Sequence, residues 1–305
     1  MLFLRCAVFL LAGLSLAACR REVAPEGQGA AHLKALRQAG MLDGKRGSTH
    51  VLDVRLVTPK ATRWSTGAPS FWWATLQTDD GEAGYLAWKD EASHALIDFS
   101  LEGLVSLDLS GAHVLDGVPP VQQFAVRGSD GKPVASGCVP TAGASLMAYW
   151  SNRGTFDWQA DDSHQGLVLR LRDRMAMSAL PDLEGFTDGK MQLAGATTSA
   201  LVAALKEDAA QYKVKAEVTS SAFAFDALRQ EIRAGRPAVV TCSVLVPRKP
   251  ELAWGHAVVA VGFAEVAGEP FIAVIDNYHE ARQPGTVRWI AATQARELVF
   301  IRPVR

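Results

Sequence analysis

The sequence predicts an α+β fold: a helical half, then a half built of antiparallel sheet, with a small β-rich unit ahead of both. Three observations carry this. Apolar residues recur at helical spacing from Cys138 to Ile232, and strand-type runs dominate from Ala238 to Ile301. Helices first and strands later mark segregated elements rather than a doubly wound sheet. A block from about Thr49 to Leu107 holds short apolar runs separated by Asp79-Asp80-Gly81 and Lys89-Asp90-Glu91, the turn chemistry of a meander.

The chain's 305 residues suffice for one large domain or two smaller ones. A net charge of −1 gives no electrostatic pull toward nucleic acid or anionic lipid, and 49% hydrophobic residues is ordinary for a globular protein.

The first residues read as a targeting segment. Arg5 precedes an apolar run, Ala7 to Leu16, too short to span a membrane comfortably. The run ends in Leu16-Ala17-Ala18-Cys19, which resembles the bacterial lipobox, where cleavage precedes a lipid-modified cysteine. The expected division is a signal peptide over 1–18, a lipidated tether over 19–29, a β-rich unit over 30–116 and a main domain over 117–305. The protein is then an exported bacterial lipoprotein held at a cell-envelope membrane through Cys19 (the outer membrane, facing the periplasm, where there are two membranes). Residues 20–29 are polar and poor in large apolar side chains, as a flexible tether is.

Past the tether, Leu33 and Leu36 share one side of a short helix. Strands follow from Val51 to Val57, Phe71 to Leu76, Gly84 to Trp88 and Ala95 to Phe99. Trp64, Trp72, Trp73 and Trp88 fall in this third of the chain, as core of a small β unit rather than a ligand platform. Gly117-Val118-Pro119-Pro120 is the best domain boundary.

Ser136-Gly137-Cys138-Val139-Pro140 opens the main helix. Gly137 permits a tight approach, and Pro140 fits a first helical turn. Leu146, Met147 and Trp150 give the helix its apolar face. A thiol at this end meets the positive pole of the helix dipole, which favours thiolate. The rival reading of Cys138 is a small buried hydrophobe. Further helices carry Leu167, Leu171 and Met175 (candidate caps Asp161 or Ser163), Leu201 and Leu205 (caps Thr197 or Thr198), and Phe225, Leu228 and Ile232, the last ended by Gly235 and Pro237. Strands then run over 238–246, 257–263, 271–275, 287–290 and 298–301.

Of seven histidines, His32, His50, His94, His113 and His164 lie in polar or turn settings. His256 stands at the threshold of a buried strand. The strands 257–263 and 271–275 fold about a point near residue 267, which returns residues 276–278 beside His256. Asp276 or Asn277 is then placed to accept the Nδ1 proton. A nucleophile, a base and an orienting group are together: Cys138, His256, and Asp276 or Asn277. The Cys-to-His spacing is somewhat below the roughly 130–150 residues of papain-type enzymes. Of the remaining cysteines, Cys6 leaves with the signal and Cys242 lies in a buried strand; a Cys138–Cys242 disulfide is the structural rival to a reactive Cys138.

Gly-Cys-Val-Pro-Thr-Ala…Met-Ala-Tyr-Trp, Trp-Gly-His-Ala-Val-Val-Ala-Val-Gly-Phe and Val-Ile-Asp-Asn-Tyr together resemble papain-like cysteine peptidases. Two branches are similar: the domains related to those that remove double-glycine leaders from bacteriocins, and the streptopain-like group. The resemblance covers roughly residues 119–305. It implies a papain-like fold, Cys138 as nucleophile, His256 as general base, Asp276 as orienting acid, and a peptide or protein substrate. These families also carry a glutamine shortly before the cysteine, whose amide helps hold the oxyanion. Lys132 stands there instead, and Gln122 and Gln123 are the nearby candidates. Arg127 to Lys132 reads as an inserted turn that lets either glutamine reach the site. No cofactor or metal is called for: Cys138, His256 and Asp276 form no local zinc motif, and no phosphate loop of the recognised spacing occurs. A transamidase or amidase with the same triad, and a non-catalytic binding lipoprotein, are the alternatives.

Overall fold

The computed structural model describes residues 25–41, 49–58, 69–79, 81–100, 112–156, 158, 163–177, 179–180, 193–246, 249–277 and 287–304. The expected signal segment, Cys19, the first part of the tether and Asp161 lie outside them. Helix α1 (Pro25–Gln38) takes up residues 25–29, the last part of the expected tether. Proline suits a first helical turn, where its missing N–H has no partner to lose, and burial of Leu33 and Leu36 anchors the helix to the body.

Strands β1 (His50–Val57), β2 (Phe71–Thr78), β3 (Gly81–Lys89) and β4 (Leu96–Ser100) form the expected meander. Then come β5 (Ala112–Val114), a hairpin of β6 (Ala125–Arg127) and β7 (Pro133–Ala135), and helices α2 (Cys138–Asn152) and α3 (His164–Arg174). A small pair, β8 (Ala179–Leu180) with β9 (Leu193–Ala194), precedes α4 (Thr198–Gln211), β10 (Ala216–Ala222) and α5 (Phe225–Arg233). The chain ends in β11 (Ala238–Val246), β12 (Lys249–Val266), β13 (Glu269–Ile275), β14 (Val287–Ala291) and β15 (Ala295–Pro303). Ser163 and Thr197 cap α3 and α4 by accepting from Gly166 and Ala200 N–H. The structure is α+β, with five helices among the described residues and a large antiparallel sheet.

That sheet runs β1-β2-β3-β4-β14-β13-β12-β11-β15-β10, with β5 added on β12. Strand β4 pairs with β14, Ile290 opposite Asp98. The N-terminal strands are therefore hydrogen-bonded into the same sheet as the C-terminal half. Both faces of the central strands are buried. Ala257, Val259 and Val261 of β12 join Phe271, Ala273 and Ile275 of β13 in the core under α2, α3 and α4. The alternate residues Val258, Ala260, Ile272 and Val274 pack with Leu228 and Ile232 of α5. Burial on both sides explains why these strands read as continuous apolar runs rather than alternating ones. Asp208, fully buried in α4, accepts from Arg170 and Arg174 of α3 and ties the two helices.

Two expectations change. His32 is half-buried against Trp88, and burial drives its pKa down to about 4. Strand β10 was not expected from the sequence; of its residues, Val218 is the buried one. Among the described residues, no helix is long and apolar enough to cross a membrane.

Candidate active site

Cys138 is the first residue of α2, a helix whose residues from Val139 to Trp150 are buried. The turn before it depends on glycine. Gly137 sits at φ +97, and a Cβ there would lie 2.6 Å from Met177 Cε. Arg172 of α3 fixes the approach by donating to the carbonyls of Ala135 and Ser136 at 3.0 and 3.1 Å. Gly137 supplies no side-chain cap, and the first turn of α2 carries no acidic residue. The positive helix end thus falls on the thiol with no competing carboxylate in that turn.

The β6–β7 hairpin accounts for the displaced glutamines. Phe124 and Ser136 bond across its base, Ser136 N–H to Phe124 carbonyl at 2.8 Å and Phe124 N–H to Ser136 Oγ at 3.2 Å. The extra residues loop out, and Gln122 and Gln123 come against the Asp276-Asn277 segment. Gln122 Nε2 donates to the Asp276 carbonyl at 3.1 Å. Gln123 is buried; its N–H donates to the Asn277 carbonyl at 2.9 Å and its Nε2 to Asn277 Oδ1 at 3.0 Å.

His256 lies in β12, paired with Cys242 of β11. The β12–β13 turn is Ala267-Gly268, both at positive φ, and the register closes with Val259 opposite Ile275. Asp276 then reaches back to His256, with Oδ1 3.0 Å from Nε2. The expected contact at Nδ1 is corrected: Asp276 takes the far nitrogen of the ring, which leaves Nδ1 for Cys138. Asn277 does not hold the imidazole. Its Nδ2 donates to the carbonyls of Cys138 (3.1 Å) and Ala257 (2.9 Å).

The electrostatics follow from these contacts. Burial pushes the Cys138 thiol up, but the hydrogen bond and charge of His256, with the N–H groups of Ala257 and of Cys138 itself, bring it below its ordinary value. Burial works to lower the His256 pKa, but Asp276 and then Cys138 raise it to about 10. Both shifts run in the direction that favours thiolate and imidazolium. Cys242 is the opposite case: burial drives its thiol strongly up, and it donates to the His256 carbonyl. Among the described residues Cys138 and Cys242 are free thiols, and no group of three or more His, Cys, Asp or Glu is placed to hold a metal.

Two charged residues not singled out from the sequence touch this cluster. Arg288 of β14 donates Nη1 to Asp276 Oδ2 at 3.0 Å, and Asp98 of β4 accepts from Arg288. The signal for both was a lone charge inside an apolar strand, Val287-Arg288-Trp289-Ile290 and Leu96-Ile97-Asp98-Phe99.

Compared with known proteins, residues 115–296 match the model of the Peptidase_C39 like family. No curated protein matches the chain.

Proposed function

The chain belongs to the Peptidase_C39 like family, and on that premise we propose that it is a lipid-anchored cysteine peptidase of a bacterial cell envelope, cutting peptide bonds with Cys138, His256 and Asp276. The family gives a domain related to papain-like cysteine peptidases and a cysteine peptidase type of function. The observation that carries the finer reading is the contact of His256 Nε2 with Asp276 at 3.0 Å. It fixes the ring so that the other nitrogen serves a thiol at a helix N-terminus, which is the nucleophile, base and orienter arrangement of acyl transfer.

In this mechanism the proton sits on His256 before substrate arrives. Cys138 Sγ attacks the amide carbonyl carbon and a C–S bond forms. The Cys138 N–H and the Gln123 amide hold the oxyanion, an arrangement in which each donor is worth about a hundredfold in rate. As the tetrahedral intermediate collapses the C–N bond breaks, and His256 gives its proton to the departing amine. Water then attacks the thioester while His256 takes its proton, the acid product leaves, and the thiolate–imidazolium pair is restored. Asp276 keeps the ring in place throughout.

The test is peptide cleavage by wild type and by Cys138→Ala, with equal melting temperatures for both. Loss of cleavage in the variant supports the proposal, and equal cleavage overturns it. The anchor is proposed from Leu16-Ala17-Ala18-Cys19 alone. Incorporation of labelled fatty acid that vanishes in Cys19→Ala supports it, and labelling that persists removes Cys19 as the anchor.

A further inference from the structure

A row of polar side chains crosses the sheet beneath the proposed triad, and half of it comes from the N-terminal strands. Tyr85 of β3 is in register with Ser100 of β4, and Ser100 with Arg288 of β14. Register partners point to the same face of a sheet, as do residues two apart on one strand, so Asp98 joins them. On that face Tyr85 hydroxyl donates to Asp98 Oδ1 at 2.8 Å. Asp98 takes Arg288 in a two-pronged contact, Nε to Oδ1 at 3.0 Å and Nη2 to Oδ2. The remaining arm of Arg288, Nη1, holds Asp276 Oδ2. Asp98 and Arg288 are each almost fully buried.

We propose that Asp98, carried by the N-terminal β unit, is a positioning residue for the triad, acting through Arg288 to hold Asp276 with its other oxygen toward His256. The inference rests on the peptidase reading for its catalytic consequence, but the geometry it describes does not. Asp276 has two oxygens with two jobs, one on Arg288 and one on His256. A buried guanidinium bonded at one end alone would swing toward its single carboxylate and draw charge from the oxygen that serves the imidazole. Asp98 prevents this, because a planar fork held at two donors keeps its third in a fixed direction. The N-terminal strands are thereby part of the site rather than a spacer ahead of it.

The groups acting on the His256 ring are Cys138 on α2 and Asp276 after β13; Cys242 on β11 meets its backbone carbonyl, and Arg288 on β14, Asp98 on β4 and Tyr85 on β3 stand in line behind Asp276. Exchanging Asp98 for a neutral isostere makes these surroundings more positive. The imidazolium then loses its proton at lower pH.

The experiment uses the full chain. Asp98→Asn is expected to lower kcat between about tenfold and a hundredfold with KM unchanged, the range for a misplaced reacting group, and to move the alkaline limb of kcat/KM to lower pH. The rate of Cys138 alkylation by iodoacetamide, followed against pH, reads the same imidazolium without any peptide substrate. Its upper step moves down in Asp98→Asn and moves up past the wild-type pH when Arg288→Met is added, because the nearer positive charge is then gone. A merely structural role scales rates by the folded fraction and leaves the step in place. An alkylation step that stays at the wild-type pH in both variants overturns the inference. If Asp98→Asn does not fold, the double variant, which removes both buried charges, carries the test: its step moves above the wild-type pH, and an unmoved step overturns the inference. Should the steps move while wild type cleaves no peptide, the positioning role stands and the peptidase reading falls.

Discussion

Asn277 donates its side-chain amide to the carbonyl of Cys138 over 3.1 Å. The same nitrogen donates to the carbonyl of Ala257, and its oxygen accepts from Gln123. One buried side chain thus ties the start of α2, the strand bearing His256 and the segment ahead of the hairpin. Asn277→Ala leaves two carbonyls and a glutamine amide without this partner. Each buried polar group left unpaired costs about 1–3 kcal/mol, so a loss of about 3 kcal/mol is expected. Urea unfolding checks it; an unchanged midpoint would show that water replaces the amide at no cost.

The paired charges of Cys138 and His256 set a pH window. The thiolate forms above a Cys138 pKa that lies below the thiol's ordinary 9.0, and the imidazolium persists up to about pH 10. Activity requires both forms. The acid limb of kcat/KM therefore belongs to Cys138 and the alkaline limb to His256. Asp276→Asn removes the charge that raises His256, so the alkaline limb should fall toward the ordinary histidine range. Peptide turnover measured from pH 5 to 11 reads both limbs, and a limb unmoved in the variant would detach Asp276 from His256.

Gly137→Ala tests the turn that delivers the thiol. At φ +97 an L side chain is strained, and its Cβ would press on Met177 Cε at 2.6 Å. Methionine can move, so the backbone conformation is the larger obstacle, at about 1–3 kcal/mol. Relaxing that strain shifts Cys138, and a displacement of about 1 Å costs around a hundredfold in rate. Melting temperature and kcat should fall together. A variant of wild-type rate would mean that α2 alone, and not the turn, places the thiol.

What could be read from the sequence was local or set by one hairpin. Strand lengths around Ala267 brought Asp276 to His256, because a single turn fixes that register. The choice of ring nitrogen was not legible: it depends on which side of the imidazole Cys138 occupies, and Cys138 is distant in sequence. Strand β10 escaped notice because a sheet-edge strand with a mostly polar sequence shows no apolar alternation. Arg288 and Asp98 were invisible as a pair for another reason. They meet 190 residues apart, through the β4–β14 pairing, and no periodicity announces which strands will be neighbours.

The two glutamines remain to be separated by role. Both stand against the Asp276-Asn277 segment, but their amides have different company. Gln122 Nε2 rests on the Asp276 carbonyl. Gln123 Nε2 rests on Asn277, whose own amide is bonded to the Cys138 carbonyl, so a continuous chain of hydrogen bonds links Gln123 to the nucleophile's backbone. An oxyanion donor must be held rigidly before charge develops, since its advantage lies in needing no reorganisation. The buried and doubly anchored Gln123 meets that condition better than the half-exposed Gln122. Gln123→Ala should lower kcat by about a hundredfold while Cys138 alkylation proceeds near the wild-type rate, because alkylation develops no oxyanion. Gln122→Ala should cost less than about tenfold in kcat, the scale of a hydrogen bond outside the reacting centre. The reverse order of losses would assign the donor to Gln122 and make Gln123 a support for Asn277.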